Sequence, residues 1–169
     1  MLWPGCTVSL NGGTTTVEVA RAIPGVERLQ NGVTVVTNAI NIATELTVRP
    51  FIKIMVCGVV ARPQSYELVG AMASETLSQL TPDLCFLGAM GLDPVAGITT
   101  HDEAEAAINR VMVTQAKRTV VVADASKLGH VGFSRICHVN EVSAIITDTS
   151  APPEMVATLE ARGVEVILA

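Results

Sequence analysis

Aromatic and charged side chains are both scarce in this sequence of 169 residues. It contains one Trp, one Tyr and three Phe, and charged residues make up 16% of the chain. Its 11 Lys and Arg residues are scattered among 16 Asp and Glu residues, which gives a net charge of −5. Because nucleic-acid binding relies on clustered cations and, for single strands, on aromatic platforms, this chain alone is a poor candidate for it.

Long apolar runs are absent too, although 49% of the residues are hydrophobic. No run approaches the ~18 apolar residues that a membrane-spanning helix needs. The N terminus lacks the basic segment and the apolar segment of a signal peptide. We therefore expect a cytoplasmic protein that has no membrane partner.

Several motifs of metal and catalytic chemistry are missing. The four cysteines lie far apart without a C-x-x-C pair, and the three histidines lack the spacing of zinc ligands. The chain has no G-K-S/T phosphate loop, no G-x-S-x-G nucleophile turn and no G-x-G-x-x-G dinucleotide fingerprint. We expect no disulfide, no metal and no cofactor.

Strand-like and helix-like segments alternate along the chain. Short runs rich in β-branched residues predict seven strands, at Thr7–Leu10, Gly32–Thr37, Ile52–Cys57, Asp83–Leu87, Thr119–Ala123, Ser143–Thr147 and Val164–Leu168. Helical spacing and end signals predict five helices, at Val17–Ala22, Ala39–Leu46, Leu68–Leu80, His101–Lys117 and Pro152–Arg162. This order predicts an α/β fold, a mostly parallel sheet with helices on both faces. We expect one domain over residues 1–169, with residues 1–5 as a linker remnant.

A glycine- and threonine-rich segment, residues 11–16, connects the first strand to the first helix. Glycines let backbone amides approach a ligand closely, hydroxyls add donors, and a helix N terminus favours an anion. Gly13, Thr14 and Thr15 are therefore candidates for binding phosphate. An ordinary strand-to-helix turn with hydroxyl caps explains the same residues, and the segment alone does not decide between the two.

A second polar group, Asp124-Ala125-Ser126-Lys127, follows a predicted strand. Open α/β sheets bind ligands outside the carboxyl ends of their strands, and a lysine there supplies a point charge for phosphate. Asp124, Ser126 and Lys127 are the candidates. The alternative is a solvated turn closed by the aspartate side chain, which the segment alone slightly favours.

Two further strand ends carry polar residues. After the fourth strand, Gly91, Asp93 and Thr99 are candidates for holding sugar hydroxyls. Glu105 is either a polar anchor for the ligand or, more ordinarily, a favourable charge in the first turn of a helix. The remaining candidates are Thr37 and Asn38, where Asn38 is either a ligand contact or a helix N-cap.

Taken in order, these motifs resemble the effector-binding domain of DeoR-type transcriptional regulators. The matching segments are GGTTT, TVVTN, Gly58 with the downstream YELVG, FLGAMGLD, GITT, EAAINR and ADASK. The resemblance runs from about Gly5 to the C terminus. It implies a sensor for a phosphorylated sugar that changes operator affinity, usually in a repressor of sugar or nucleoside catabolism. It also implies a fold similar to ribose-5-phosphate isomerase and glucosamine-6-phosphate deaminase.

The resemblance assigns ligand contacts to three of the motifs. The family's glycine-threonine loop, its Thr-Asn pair and its strand-end Asp-x-Ser-Lys correspond to Gly13, Thr14, Thr15, Thr37, Asn38, Asp124, Ser126 and Lys127. The sequence departs from the family pattern at three places. Asn11-Gly12 stands where an acid often precedes the glycine, Gly58-Val59 replaces a Gly-Gly pair, and Asn109-Arg110 replaces a Lys-Arg pair. Gly58 stays a candidate for close backbone approach.

The family places a winged helix-turn-helix before its sensor, whereas this chain starts at the first strand. We therefore expect operator DNA to be a partner only of a full-length regulator. A homodimer or homotetramer is expected from the high hydrophobic content. A purely structural dimerisation domain would leave the polar strand ends unexplained.

An aldose–ketose isomerase on the same scaffold is the alternative function. Such an enzyme needs a base and a group that stabilises the enediolate. The resemblance to the isomerase implies a lysine near a Gly-Gly-Gly segment after the central strand. No lysine lies between Gly88 and Glu105, and no Gly-Gly-Gly occurs. We therefore expect a sensor without catalytic residues rather than an enzyme.

Overall fold

The computed structural model describes all 169 residues and contains twelve strands and five α-helices. In chain order they are β1 (Thr7–Leu10), α1 (Thr14–Ala22), β2 (Val33–Thr37), α2 (Ile40–Thr47), β3 (Ile52–Val56), β4 (Val60–Arg62), β5 (Glu67–Val69), α3 (Ala71–Ser78), β6 (Leu84–Gly88), β7 (Gly91–Asp93), β8 (Gly97–Thr100), α4 (Glu103–Gln115), β9 (Thr119–Val122), β10 (Ser134–Cys137), β11 (Ala144–Thr147), α5 (Pro153–Glu160) and β12 (Glu165–Leu168). Short 3-10 helices lie between some of them.

Seven of these strands form one sheet in the order β12-β11-β9-β6-β1-β2-β3, and every neighbouring pair is parallel. The chain first runs outward from β1 to β3 and then returns to place β6 on the other side of β1. The strand order therefore reverses between β1 and β6. In open α/β sheets, a ligand crevice lies outside the carboxyl ends of the strands at such a point.

Alternating side chains of the sheet bury both of its faces. One core joins Val8, Val35, Phe86 and Val120 of the sheet to α1 and α2. The other joins sheet residues such as Leu87 to α3, α4 and α5. Strands covered on both sides have no polar alternation, which explains the β-branched, apolar runs that predicted them. The predicted α/β fold with a parallel sheet is confirmed.

The predicted helix Leu68–Leu80 is wrong over its first residues. Glu67–Val69 is strand β5, which pairs antiparallel with β4, and the helix begins only at Ala71. Gly70 between them has φ of 109°, a left-handed conformation that ends the strand and that glycine adopts without strain. Val69 fitted the helical spacing because it packs into the same core as the buried residues of α3.

A small antiparallel sheet lies where the sequence predicted only a loop. Strands β7 and β8 form a hairpin, and β10 pairs with the other side of β8.

The predicted helix His101–Lys117 is shorter at both ends in the structure, where α4 runs from Glu103 to Gln115. It begins after Asp102 because the Asp102 side chain caps it, accepting hydrogen bonds from the amides of Ala104 and Glu105, both at 3.0 Å. No helix combines the length and the apolar character needed to cross a membrane.

Candidate ligand-binding site

A cavity of about 490 Å³ opens at the carboxyl edge of the sheet where the strand order reverses. The segments after β1 and β6 form part of its wall, together with the start of α1, the β4–β5 turn, one side of α4 and Lys127. Asn11 joins the two central strands at this point. Its side-chain amide donates to the Gly88 carbonyl at 3.1 Å and accepts from the Gly88 amide at 2.7 Å. A carboxylate cannot make both bonds, so the Asn suits this position.

The glycine- and threonine-rich loop, residues 11–15, forms one wall and is called the phosphate loop after the role predicted for it from the sequence. Gly13 has φ of 146°, which favours glycine, and its carbonyl accepts the first bond of α1 from the Val17 amide at 3.1 Å. Thr14 and Thr15 make the first turn of α1 and line the cavity. The amides at the start of a helix have no partner inside it. They make this wall suited to an anion.

Lys127 lines the cavity from the β9 side of the sheet edge. It lies in a short 3-10 turn that Asp124 caps by accepting from the Ser126 amide at 3.0 Å. Lys127 forms no ion pair within the chain, unlike Arg21, the other cation on the cavity wall, which pairs with Glu18 and Glu45. Lys127 is therefore the positive charge that is free to pair with a ligand.

Glu67 lies beside the phosphate loop, on the side away from Lys127. Its side chain is buried, with the residue 2% exposed, and its Oε1 accepts from the Gly12 amide at 2.8 Å and from Asn38 Nδ2 at 3.4 Å. A Cβ at Gly12 would lie 2.4 Å from Glu67 Cγ, so only glycine fits there. Burial, and then the negative charge of Glu105, raise the pKa of Glu67 to about 7.

Glu105 reaches the same wall from the first turn of α4. One oxygen accepts from Arg62 Nε at 3.0 Å and the other from the Thr100 hydroxyl at 3.0 Å. Arg62 also pairs with Asp102, at 2.8 Å, and does not line the cavity. The guanidinium therefore balances Glu105 and Asp102 from behind, and the carboxyl groups of Glu67 and Glu105 stand next to each other on the wall.

Asn109 follows Glu105 by one turn of α4 and completes this side. The residue is 2% exposed and lines the cavity, yet its Oδ1 has no hydrogen-bond partner in the chain. The Ser65 hydroxyl in the β4–β5 turn is also buried without a partner. Buried polar atoms are nearly always hydrogen-bonded, so these two atoms of the cavity lining are available to a partner from outside the chain. We call Glu67, Glu105 and Asn109 the acidic wall.

The sequence profile of the DeoR C-terminal sensor domain matches residues 1–149. The chain belongs to this family. A putative aga operon transcriptional repressor of Escherichia coli O157:H7 is 34% identical over 168 residues, covering 99% of the chain and 61% of that protein. The transcriptional regulator GlpR of Haloferax volcanii is 35% identical over 164 residues, covering 96% and 62%. The glycerol-3-phosphate regulon repressor of Escherichia coli K12 is 26% identical over 155 residues, covering 92% and 60%. The chain thus spans about three fifths of these relatives.

Solved structures similar to this DeoR-type sensor domain show its fold alone. Ribose-5-phosphate isomerase A of Neisseria gonorrhoeae superposes with a TM-score of 0.52 at 11% identity, covering 75% of the chain and 47% of the isomerase. The delta subunit of eIF2B from Chaetomium thermophilum gives 0.58 at 12% identity, covering 85% and 50%. The expected likeness to the isomerase fold is therefore confirmed.

Five of the residues predicted to bind the ligand line the cavity of the sensor domain, namely Gly13, Thr14, Thr15, Glu105 and Lys127. Ser126 lines a smaller adjoining hollow that shares Lys127 and Met90 with the cavity. Asp124 lies behind them as the cap of the turn. Their contacts with a ligand stay predictions.

The other predicted residues do not line the cavity, and they contact other parts of the chain instead. The Thr37 hydroxyl donates to the Leu10 carbonyl at 2.7 Å and accepts from the Ala39 amide at 3.0 Å. Asn38 does not cap α2, whose N-cap is Ala39, because its side chain turns to Glu67 and the Leu68 carbonyl. Asn38 therefore supports the acidic wall from behind.

Three more predicted residues belong to the small sheet, and the last lies near β5. Asp93 closes the β7–β8 turn by accepting from the amides of Val95 and Ala96. Thr99 accepts from the Gly132 amide at 2.8 Å. The remaining two are glycines at close approaches, Gly91 to the His130 carbonyl and Gly58, with φ of 121°, to Leu68. A Cβ at Gly58 would lie 2.5 Å from Leu68 Cβ, so the close approach at Gly58 is to β5, and its contact with a ligand stays a prediction.

Two residues at the acidic wall, Glu67 and Arg62, were not predicted from the sequence. Both belong to the β4–β5 hairpin, where they are cross-strand partners. Glu67 directly precedes the predicted helix Leu68–Leu80, and neither it nor Arg62 fell in a predicted element. The one local sign in the sequence that the helix begins later was the glycine at position 70, which is left-handed in the structure. Asn109 was noticed only as a departure from the family pattern.

Proposed function

We propose that this chain is the effector-sensing part of a transcriptional repressor of carbohydrate metabolism and that its cavity binds a phosphorylated sugar. The single observation that carries the proposal is the pairing, in one cavity, of a helix start that offers amides and hydroxyls with an acceptor-rich wall. The names of its relatives as transcriptional repressors support the regulatory part. One of them is named for glycerol 3-phosphate, a small phosphorylated polyol.

The phosphate would bind at the start of α1. The unpaired amides of the first helical turn and the hydroxyls of Thr14 and Thr15 supply donors, and Lys127 supplies a full positive charge from the β9 side. Lys127 is half-buried, so its attraction for a dianion is screened less than on an open surface. A phosphate is the common group that satisfies amides, hydroxyls and an ammonium together.

The sugar would lie against the acidic wall. Hydroxyl groups donate to carboxylate and amide oxygens, and the free Oδ1 of Asn109 is such an acceptor. The cavity of about 490 Å³ lies within the usual size range for small-molecule sites. Each hydroxyl that met its acceptor would remove a buried, unsatisfied polar atom.

Regulation of DNA would require the rest of a full-length protein. The chain spans about three fifths of its relatives, and the family resemblance places a winged helix-turn-helix before the sensor. We infer that the ligand acts on operator binding through that part. Exposed Val56, Val59 and Val60 at the β3 edge support a homodimer or homotetramer.

The cavity favours binding over catalysis. An isomerase of this fold needs an electrophile near its base, and the only lysine on the wall is the one assigned to the phosphate. Arg62, the cation behind Glu105, does not line the cavity. We therefore infer a sensor that releases its ligand unchanged, and a coupled assay with ribose 5-phosphate should detect no turnover.

Calorimetric titration of the purified chain tests the proposal. Triose, pentose and hexose phosphates should bind and their unphosphorylated partners should not. Lys127→Ala should weaken phosphate-dependent binding by about 2 kcal/mol, roughly 30-fold in Kd, because it removes a partly desolvated charge pair. Lys53→Ala, which removes an exposed lysine on β3 away from the cavity, is the matched control. Binding of the free sugars, or an unchanged affinity in Lys127→Ala, would contradict the proposal.

A further inference from the structure

The acidic wall is unusual in a cavity proposed to bind an anion. Glu67 and Glu105 both line it and stand next to each other. Of the two cations on the cavity wall, Arg21 is engaged by Glu18 and Glu45, and Lys127 lies on the far side of the phosphate loop. No free cation is left to receive a second negative group of the ligand.

The order of strands separates the two sides of the cavity. Lys127 follows β9, whereas Glu67 forms a bridge to Ala39 just after β2. The sheet order β9-β6-β1-β2 puts these two on opposite sides of β1 and of its loop. With strands about 4.8 Å apart, the sites lie roughly three strand spacings from each other. A second anion against the acidic wall is therefore beyond a direct contact with Lys127.

The atoms of the acidic wall are set up to accept hydrogen bonds. Asn109 Oδ1 is buried and unpartnered. Glu105 already accepts from Arg62 and Thr100, and Glu67 Oε1 accepts from Gly12 and Asn38. Groups placed here gain by donating, as hydroxyls and ammonium groups do. A carboxylate or phosphate can only accept and meets like charge.

We propose that the acidic wall sets the charge specificity of the sensor, so that the ligand carries one phosphate and a remainder that is neutral or cationic. Phosphorylated sugars, polyols and amino sugars meet this condition. Phosphorylated sugar acids and sugar bisphosphates do not. The inference rests on the proposed function, since it assumes that the phosphate occupies the loop. Rejection by an unfavourable contact is a general means of telling similar ligands apart.

Matched ligand pairs test the charge rule without any mutation. The pairs are glycerol 3-phosphate with 3-phosphoglycerate, erythrose 4-phosphate with 4-phosphoerythronate, and glucose 6-phosphate with 6-phosphogluconate. Each pair keeps the phosphate and exchanges one oxygen function for a carboxylate. Each pair is measured by calorimetry in competition with inorganic phosphate. In every pair that binds, the neutral member should bind at least about 100-fold more tightly than the acid.

The variant Glu67→Gln tests whether Glu67 is the group that discriminates against the acidic ligand of each pair. The amide keeps the shape and an oxygen for the Gly12 amide but removes the charge and adds a donor. We call the ratio of the dissociation constants of the acid and its neutral partner the gap. For glucose 6-phosphate and 6-phosphogluconate, or for whichever pair binds, the gap should narrow at least 10-fold in this variant. Glu103→Gln is the matched control, since Glu103 is exposed in the same turn of α4 as Glu105 and does not line the cavity, and it should leave the gap unchanged. Glu105→Gln serves as the second variant if Glu67→Gln does not fold.

The outcomes separate this inference from the proposed function. If neither inorganic phosphate nor any sugar phosphate binds, the phosphate site itself is wrong. If sugar phosphates bind but an acid binds as tightly as its neutral partner, the charge rule is wrong while the phosphate site stands. A gap that survives in both Glu67→Gln and Glu105→Gln would also overturn the role of the acidic wall.

The gap should also widen between pH 6 and pH 8. Glu67 loses its proton near pH 7, with Glu105 of α4 and Arg62 of β4 as the charged groups acting with it. Both members of a pair carry the same phosphate, so its own titration cancels in their ratio. A ratio that stays constant over this interval would contradict the part given to Glu67.

Discussion

Replacing Glu67 by Gln should stabilise the protein at pH 8 and leave its stability nearly unchanged at pH 4. The carboxyl group is buried next to Glu105, and burial is the larger reason that its pKa rises from the usual 4.5 to about 7. Below pH 4.5 the group is protonated in both the folded and the unfolded chain. Between 4.5 and 7 the native state alone keeps the proton, so the free energy of unfolding falls as the pH rises.

The magnitude follows from the same two pKa values. A tenfold change in a proton-binding constant corresponds to about 1.4 kcal/mol, so ionising Glu67 in the folded state costs about 3 kcal/mol above pH 7. Glutamine avoids this cost because it stays neutral. Its oxygen keeps the bond from the Gly12 amide, and its nitrogen can donate to Glu105. We expect a gain of about 1–3 kcal/mol at pH 8, since the charged hydrogen bond to Gly12 is lost.

Urea unfolding followed by circular dichroism, at fixed protein concentration and at pH 4, 6 and 8, measures this difference. Unchanged slopes against urea would show that the free energies are comparable. Glu103→Gln, an exposed change of the same kind on α4, should give no pH-dependent difference. A Glu67→Gln variant whose difference from the wild type is constant across pH, or grows as the pH falls, would refute the argument.

Two further changes test the local packing and the charges at the sheet edge. Gly12→Ala should cost about 1–3 kcal/mol in urea unfolding, because its Cβ would lie 2.4 Å from the Glu67 side chain. Gly25→Ala, with no atom within 4 Å of the added carbon, should change stability by less than about 0.5 kcal/mol. Asp148→Asn should lower the melting temperature at pH 7 and have little effect near pH 2. The Ser150 hydroxyl holds the pKa of Asp148 at about 2, so its stabilisation is present above its usual 3.8 and is lost as the pH falls.

The sheet was predictable because the burial of each central strand is visible in the residues of that strand alone. All seven central strands were predicted within a residue or two of their bounds, since burial on both faces demands continuous apolar runs such as Thr119–Val122. The hairpin β4–β5 was not. Its three-residue strands are too short to show a period of two, and the spacing from Val69 to Leu77 mimics a helix.

The candidate site was likewise predictable only in its local parts. The phosphate loop and Lys127 are local features at strand ends, so glycine, hydroxyl and lysine residues there indicated them from sequence. The acidic wall is assembled from β5 and α4, which are distant in the chain. No pattern around Glu67 reveals that it will meet the Gly12 amide, because that contact depends on how the hairpin folds over the end of β2.

The contact between Glu67 and Gly12 also links the two halves of the proposed function. Gly12 directly precedes Gly13, the N-cap of α1. A negative charge on Glu67 therefore lies beside the place proposed for a dianionic phosphate. That charge opposes phosphate binding, whereas a proton kept by the Glu67–Glu105 pair relieves the opposition. Coupling between two binding events is reciprocal, so a phosphate that binds more tightly to the protonated pair must also raise the pKa of that pair. A ligand hydroxyl that donates to Glu67 spreads the charge of the ionised carboxylate and so also relieves its opposition to the phosphate. The acidic wall therefore favours ligands in which phosphate and donor groups arrive together, which neither inorganic phosphate nor a free sugar provides.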